Sequence, residues 1–89
     1  MNVAELRAKL ATMGVHPGLY ALPGDQLPYE GFVLRQNSDA RWEIVYCSRG
    51  IFNPVPGVPA GGTTEERATE HLHDLLSAQL RRIEKLPGR

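Results

Sequence analysis

The chain carries a single cysteine among 89 residues, no net charge, few aromatic residues and no long apolar run. Cys47 alone cannot form an internal disulfide, so the fold must rest on packing, and a lone thiol fits a reducing compartment or an incidental residue. Ten basic and ten acidic residues cancel. They cancel again separately within residues 1–60 and 61–89, which leaves no basic field for phosphate backbones and no acidic surface that would mimic them. Nucleic acid is therefore not an expected partner. No stretch approaches the roughly 18 apolar residues that a membrane span requires. The opening "MNVAELRAKLATMG" is amphipathic and lacks the charged head and apolar run of a secretory leader, so the expectation is a cytoplasmic protein that meets no membrane. At this length one domain is expected, near the size at which a core just sustains itself, with no room for a large pocket.

Glycine and proline are plentiful, with 9 and 7 residues, and they concentrate between residues 14 and 62. On either side of that region the apolar spacing is helical. Val3, Leu6, Leu10 and Met13 predict a helix over 3–13, with Asn2 and Glu5 spaced as a capping box and Gly14 as its stop. In "TTEERATEHLHDLLSAQLRRIEKL" a second helix is expected over 64–86, opened by Thr63 as cap and Glu66, with Leu72, Leu75, Leu76, Leu80 and Ile83 on one face. Acids at its front and bases at its rear complement the helix dipole. Between the helices, "GFVLRQ" and "RWEIVYCS" flank the turn-forming "NSDA" and predict a β-hairpin over 31–48. A short strand at 18–22 is expected from "GLYAL". Alternation puts Phe32, Leu34, Trp42, Ile44 and Tyr46 on a core face, and Val33, Arg35, Arg41, Glu43, Val45 and Cys47 on the other. The expected architecture is α+β: a small antiparallel sheet of two or three strands with both helices packed on one face.

Chemistry-bearing residues are sparse. Cys47 with His16, His71 or His73 would be the elements of a nucleophile and base, but no motif surrounds them and a mid-strand cysteine reads as a small packing residue. His71 and His73 sit two apart on a helix and so point about 200° apart, which prevents the shared ligation that an i, i+4 pair allows. "GGTTEE" resembles a glycine-rich approach to a helix N-terminus, yet it lacks lysine and is followed by acids, so capping accounts for it. No enzyme activity, metal or cofactor is expected.

The remaining puzzle is "RGIFNPVPGVPAGG", read as a proline- and glycine-rich loop over 49–62. Ile51, Phe52, Val55 and Val58 alternate there with residues that break regular structure. Two readings stand at this point: a surface linker whose apolar groups tuck over the helices, or a stiffened apolar segment that forms a protein-binding patch with the charged sheet face.

The order of the segments "LRAKLATMGVHPGLYAL", "GDQLPYEGFVLRQ", "WEIVYCSRG" and "EERATEHLHDLL" resembles the small cytoplasmic immunity proteins that accompany bacterial polymorphic toxins. The resemblance covers most of the chain, and its most specific part is Trp42–Gly50. Cys47 interrupts a strand that in such proteins tends to end in Tyr-Ser-Glu-Arg-Gly, and Ala68 stands where the last helix often has cysteine. What the resemblance implies is inhibition by stoichiometric binding to a cognate secreted toxin domain, with the toxin's active site occluded and no turnover. Partner-binding residues expected on this basis are Arg49, Ile51 and Phe52 on the loop, Tyr29 and Glu30 before the hairpin, and Arg35 and Glu43 on the open sheet face. Arg49 has a structural alternative, pinning the strand end to a helix carboxylate. A small adaptor or effector chaperone that binds without inhibiting is the competing functional class.

Overall fold

The computed structural model describes residues 1–84, in the order α1 (Val3–Met13), a 3-10 turn (Pro17–Leu19), β1 (Tyr20–Ala21), β2 (Glu30–Gln36), β3 (Trp42–Ser48), β4 (Ile51–Pro54) and α2 (Glu65–Glu84). The alternating runs of β2 and β3 pair antiparallel along their whole length, from Glu30 opposite Ser48 to Gln36 opposite Trp42. Their connection is a turn from Asn37 to Ala40, closed by Ala40 N–H to Asn37 O at 3.0 Å and Asn37 N–H to Arg41 O at 2.8 Å. Ala40 takes the left-handed position of this turn, with φ 60°.

The sheet has four strands in the order β1-β2-β3-β4, and it is mixed, with β1 parallel to β2 and the other pairs antiparallel. The expectation of two or three antiparallel strands is corrected at both edges. On one edge, Ile51–Pro54 forms β4, so the segment 49–62 is not loop throughout. Arg49 and Gly50 make a two-residue turn with φ 52° and 81°, the left-handed pair whose twist matches a right-handed hairpin. Pro54 is tolerated because it stands opposite Val45 on the free edge, where no N–H is needed. On the other edge the strand expected over 18–22 shrinks to Tyr20–Ala21, since Pro17 opens a 3-10 turn in which Leu19 N–H donates to His16 O at 3.0 Å.

So short a β1 lets the chain return parallel without a helical crossover. Residues 22–25 reverse it: Asp25 N–H donates to Leu22 O at 2.9 Å, and Leu22 N–H to Asp25 Oδ2 at 3.0 Å. Arg7 of α1 clamps the turn through both oxygens of Asp25, at 2.9 and 3.1 Å. The chain then re-enters the sheet past Gly31, where a Cβ would stand 2.5 Å from Leu19 O, so no other residue fits without moving the backbone.

Both helices lie on one side of the sheet. Leu6 and Leu10 of α1 and Leu72 and Leu76 of α2 close with Leu34 and Ile44 around one core. Phe32 and Tyr46 meet edge to face there, their centroids 5.3 Å apart. The capping box of Asn2 and Glu5 is formed, and Gly14 ends α1 with φ 76°. Thr64 rather than Thr63 caps α2, its Oγ1 accepting from Arg67 N–H at 3.2 Å. Thr63 is engaged elsewhere, exchanging two backbone bonds of 2.8 Å with Trp42. The helix expected to residue 86 continues through Glu84, and the rest of that expectation lies outside the described residues. Thr69, fully buried, has its hydroxyl 2.6 Å from Met1 O, and Glu65 accepts from Val3 N–H at 2.9 Å, so the start of α2 holds the start of α1. Among the described residues no helix is long and apolar enough to cross a membrane.

Two substitutions check this reading in opposite directions. Gly31→Ala should lower stability by about 2 kcal/mol or more, because the new methyl overlaps a backbone carbonyl. Ala40→Gly should raise it by about 0.5 kcal/mol, because the left-handed conformation costs an L-residue about 1 kcal/mol and the freer unfolded glycine offsets part of the gain. Urea unfolding midpoints of the two variants would measure both.

Candidate functional site

The two-residue turn gathers five of the seven expected partner-binding residues at one end of the sheet. Ser48 pairs with Ile51 on one side and Glu30 on the other, so Glu30, Ser48 and Ile51 form one row across three strands. Gly31, Cys47 and Phe52 form the next row, pointing to the opposite side. Arg49 N–H donates to Tyr29 O at 2.9 Å, which fixes the turn beside the entry to β2. Tyr29 is 72% exposed, Ile51 65% and Phe52 41%.

Arg35 and Glu43 stand opposite each other farther along β2 and β3. Arg35 Nε donates to Glu43 Oε2 at 2.8 Å, and its guanidinium also lies over the Phe52 ring, 5.0 Å from the centroid. The salt bridge is exposed and contributes little to stability, but together with the stacked ring it holds the Arg35 side chain in one place. This contact joins Arg35 and Glu43 to Phe52. Between them the side of the sheet away from the helices is not an open charged face. Ala21, Val33 and Cys47 form a second buried cluster with Val45 packed against it.

The four apolar residues of the puzzling segment divide. Val55 is buried at 8% exposure and Val58 packs against the main core, so for them the tucked reading holds. Turns closed by Val58 N–H to Val55 O and Gly62 N–H to Pro59 O bring the chain back to Trp42, and Asn37 Nδ2 secures the end of the excursion on Gly61 O at 2.9 Å. Ile51 and Phe52 stay outside. Arg49 is exposed and, among the described residues, has no carboxylate at ion-pair distance, so the alternative of pinning the strand to a helix finds no partner there. Leu27, 53% exposed and two residues ahead of Tyr29, was not among the expected residues. Only its place between a turn and Pro28 marks it in the sequence, and that pattern has no apolar period.

The rest of the molecule offers little chemistry. His71 and His73 ride on α2, across the sheet from Cys47, and His16 Nδ1 accepts from Gly18 N–H at 2.9 Å. Among the described residues no three His, Cys, Asp or Glu side chains converge as a metal site. A cavity of about 190 Å³ lies between α2 and the 57–63 segment, bordered by Ile44, Val58, Thr63, Arg67 and His71. Pockets for drug-sized ligands run from about 300 Å³ upward, so this one is small for a substrate. Compared with family models, curated proteins and solved structures, the chain matches none. The candidate site is thus the exposed end of the sheet, defined by its own geometry.

If Ile51 has no structural duty and Val55 does, truncation will separate them. Ile51→Ala should change unfolding free energy by less than about 0.5 kcal/mol, while Val55→Ala should cost about 2 kcal/mol. Chemical denaturation of the two variants side by side checks the division.

Proposed function

We propose that this protein is an immunity protein: it neutralises a cognate secreted toxin by binding it stoichiometrically and covering its active site. The observation that carries the reading is the cluster of Tyr29, Ile51, Phe52 and Arg49 around one two-residue turn, exposed and outside the core clusters. Large exposed apolar residues that a small protein does not need for folding mark an interaction surface. Tyrosine and arginine are also the residue types that most often carry binding energy at protein interfaces.

The chemistry of such inhibition needs affinity and no turnover. A left-handed two-residue turn and the Arg35–Phe52 stack keep the contact residues ordered before binding, which lowers the entropy lost on association. An inhibitory contact of ordinary size buries about 1,600 Å² in total, so the partner would cover this end of the sheet and extend past it. Arg35 and Glu43, already paired, bring a locally neutral polar margin to that patch.

Co-expression with the product of the adjacent upstream reading frame tests the proposal. Growth rescue together with co-elution on size exclusion is expected, and both should be lost in a Phe52→Asp, Arg49→Glu double variant whose melting temperature is unchanged. Co-elution with a product that is not toxic would replace the immunity reading with that of an adaptor or chaperone. Toxicity that persists with no complex would reject both.

A further inference from the structure

Ile51 and Phe52 are adjacent residues on an edge strand, so they point to opposite sides of the sheet, and both are exposed. A partner laid against one side of the sheet would cover one of them and leave the other in water. A strand added alongside β4 would carry side chains to both sides and cover both.

The backbone of β4 is set for such an addition. Trp42 sends its N–H and C=O to Thr63, so the even-numbered residues of β3 direct their backbone groups toward the outer edge. Tyr46 therefore bonds with Asn53, and Ser48 with Ile51 across the two-residue turn. Phe52, opposite Cys47, falls in the intervening pair, and its N–H and C=O point away from β3. The sheet order ends at β4, so among the described residues no strand meets them. Pro54 has the same outward orientation and presents a carbonyl without an N–H. The free edge thus offers one donor and two acceptors between Phe52 and Pro54.

We infer that the free edge of β4 takes an extended segment of the partner protein as a fifth strand centred on Phe52. This rests on the reading of the protein as a binder of a cognate toxin and specifies how the toxin is held. A second copy of the chain is the poorer occupant. Two β4 edges related by a two-fold axis and centred on Phe52 would set Gly50 against Pro54, where the proline has no N–H and the glycine is tied into the turn with φ 81°. Only the mutual Phe52 bonds would then form. A foreign strand with ordinary residues also donates to the Pro54 carbonyl. An apolar residue of that strand opposite Phe52 would pack on its ring from the side that Arg35 leaves free. Pro54 has a second effect: it stops the edge from extending, as protected edge strands do, and so restricts pairing to a segment that gains further contacts from Phe52 and Ile51.

Amide hydrogen exchange decides the matter, measured on the free chain and on its complex with the C-terminal domain encoded by the adjacent upstream reading frame. The Phe52 amide should exchange about a hundredfold more slowly in the complex, while that of Gly24, in the turn after β1, keeps its free rate. In parallel, Phe52→Pro should bind at least about tenfold more weakly than Phe52→Ala, since both lack the ring but only proline lacks the outward donor. If the proline variant does not fold, the exchange result on the unsubstituted chain is sufficient. A complex in which the Phe52 amide exchanges as in the free chain overturns the added strand and leaves the immunity reading intact. A free chain that dimerises with Phe52 protected overturns the foreign occupant in favour of a second copy. Absence of any complex overturns this inference and the immunity reading together.

Discussion

Strand β3 is hydrogen-bonded along both edges, and the position of nearly everything else follows from the strict alternation of its backbone. Its odd-numbered residues engage β2, while Trp42, Tyr46 and Ser48 engage Thr63, Asn53 and Ile51. The same alternation sends Ile44 and Tyr46 toward the helices and Val45 and Cys47 to the other side. A slip of one residue between β2 and β3 would turn one strand's core residues outward, and a slip between β3 and β4 would exchange the sides of Ile51 and Phe52. Three left-handed residues oppose such slips, Ala40 in one turn and Arg49 and Gly50 in the other.

The segment after Gly50 shows how burial divides a short apolar run. Fully burying a valine is worth about 1.5 to 3 kcal/mol, and the prolines on either side limit the conformations the chain must give up. Val55 takes that gain and the half-buried Val58 a part of it, both folding against the core. Anchored there and at Thr63, the chain between Gly50 and Pro54 is drawn alongside β3 and completes its ladder. Ile51 and Phe52 have no comparable place to go, because one side of β4 lies beyond the reach of the core and the other meets only the small cluster around Cys47. Their exposure follows from the geometry of an edge strand, and the proposed binding role rests on this edge.

Much of the candidate site was legible from residue types, and its assembly was not. Arg49, Ile51 and Phe52 stood out as apolar and basic residues in a segment rich in proline. That Tyr29 belongs with them depends on the bond from Arg49 N–H to Tyr29 O, which spans 20 positions of the chain and has no local signal. Arg35 and Glu43 were expected on an open face. Their actual setting is a mutual salt bridge and a contact with Phe52, because β4 brings that ring over β3.

By itself the sequence determined the elements whose signals are local. Helix α1 is set by its capping box and Gly14, α2 by its leucine spacing and charge order, and the β2–β3 hairpin by two alternating runs around Asn37 to Ala40. Only the tertiary structure decided the two sheet edges. A short strand within 18–22 was legible from its flanking turns, but its length of two residues and its parallel pairing were not, and that pairing relies on Gly31 letting the Leu19 carbonyl approach. The Arg49–Gly50 turn carries arginine where asparagine or glycine is usual, and β4 ends on a proline that is acceptable only on a free edge. Thr63 had the residue type of a helix cap, but its backbone found Trp42, 21 positions away, and the cap moved to Thr64. Pairings between residues distant in sequence are chosen by which backbone groups the assembled sheet leaves unmet, and no local pattern carries that information.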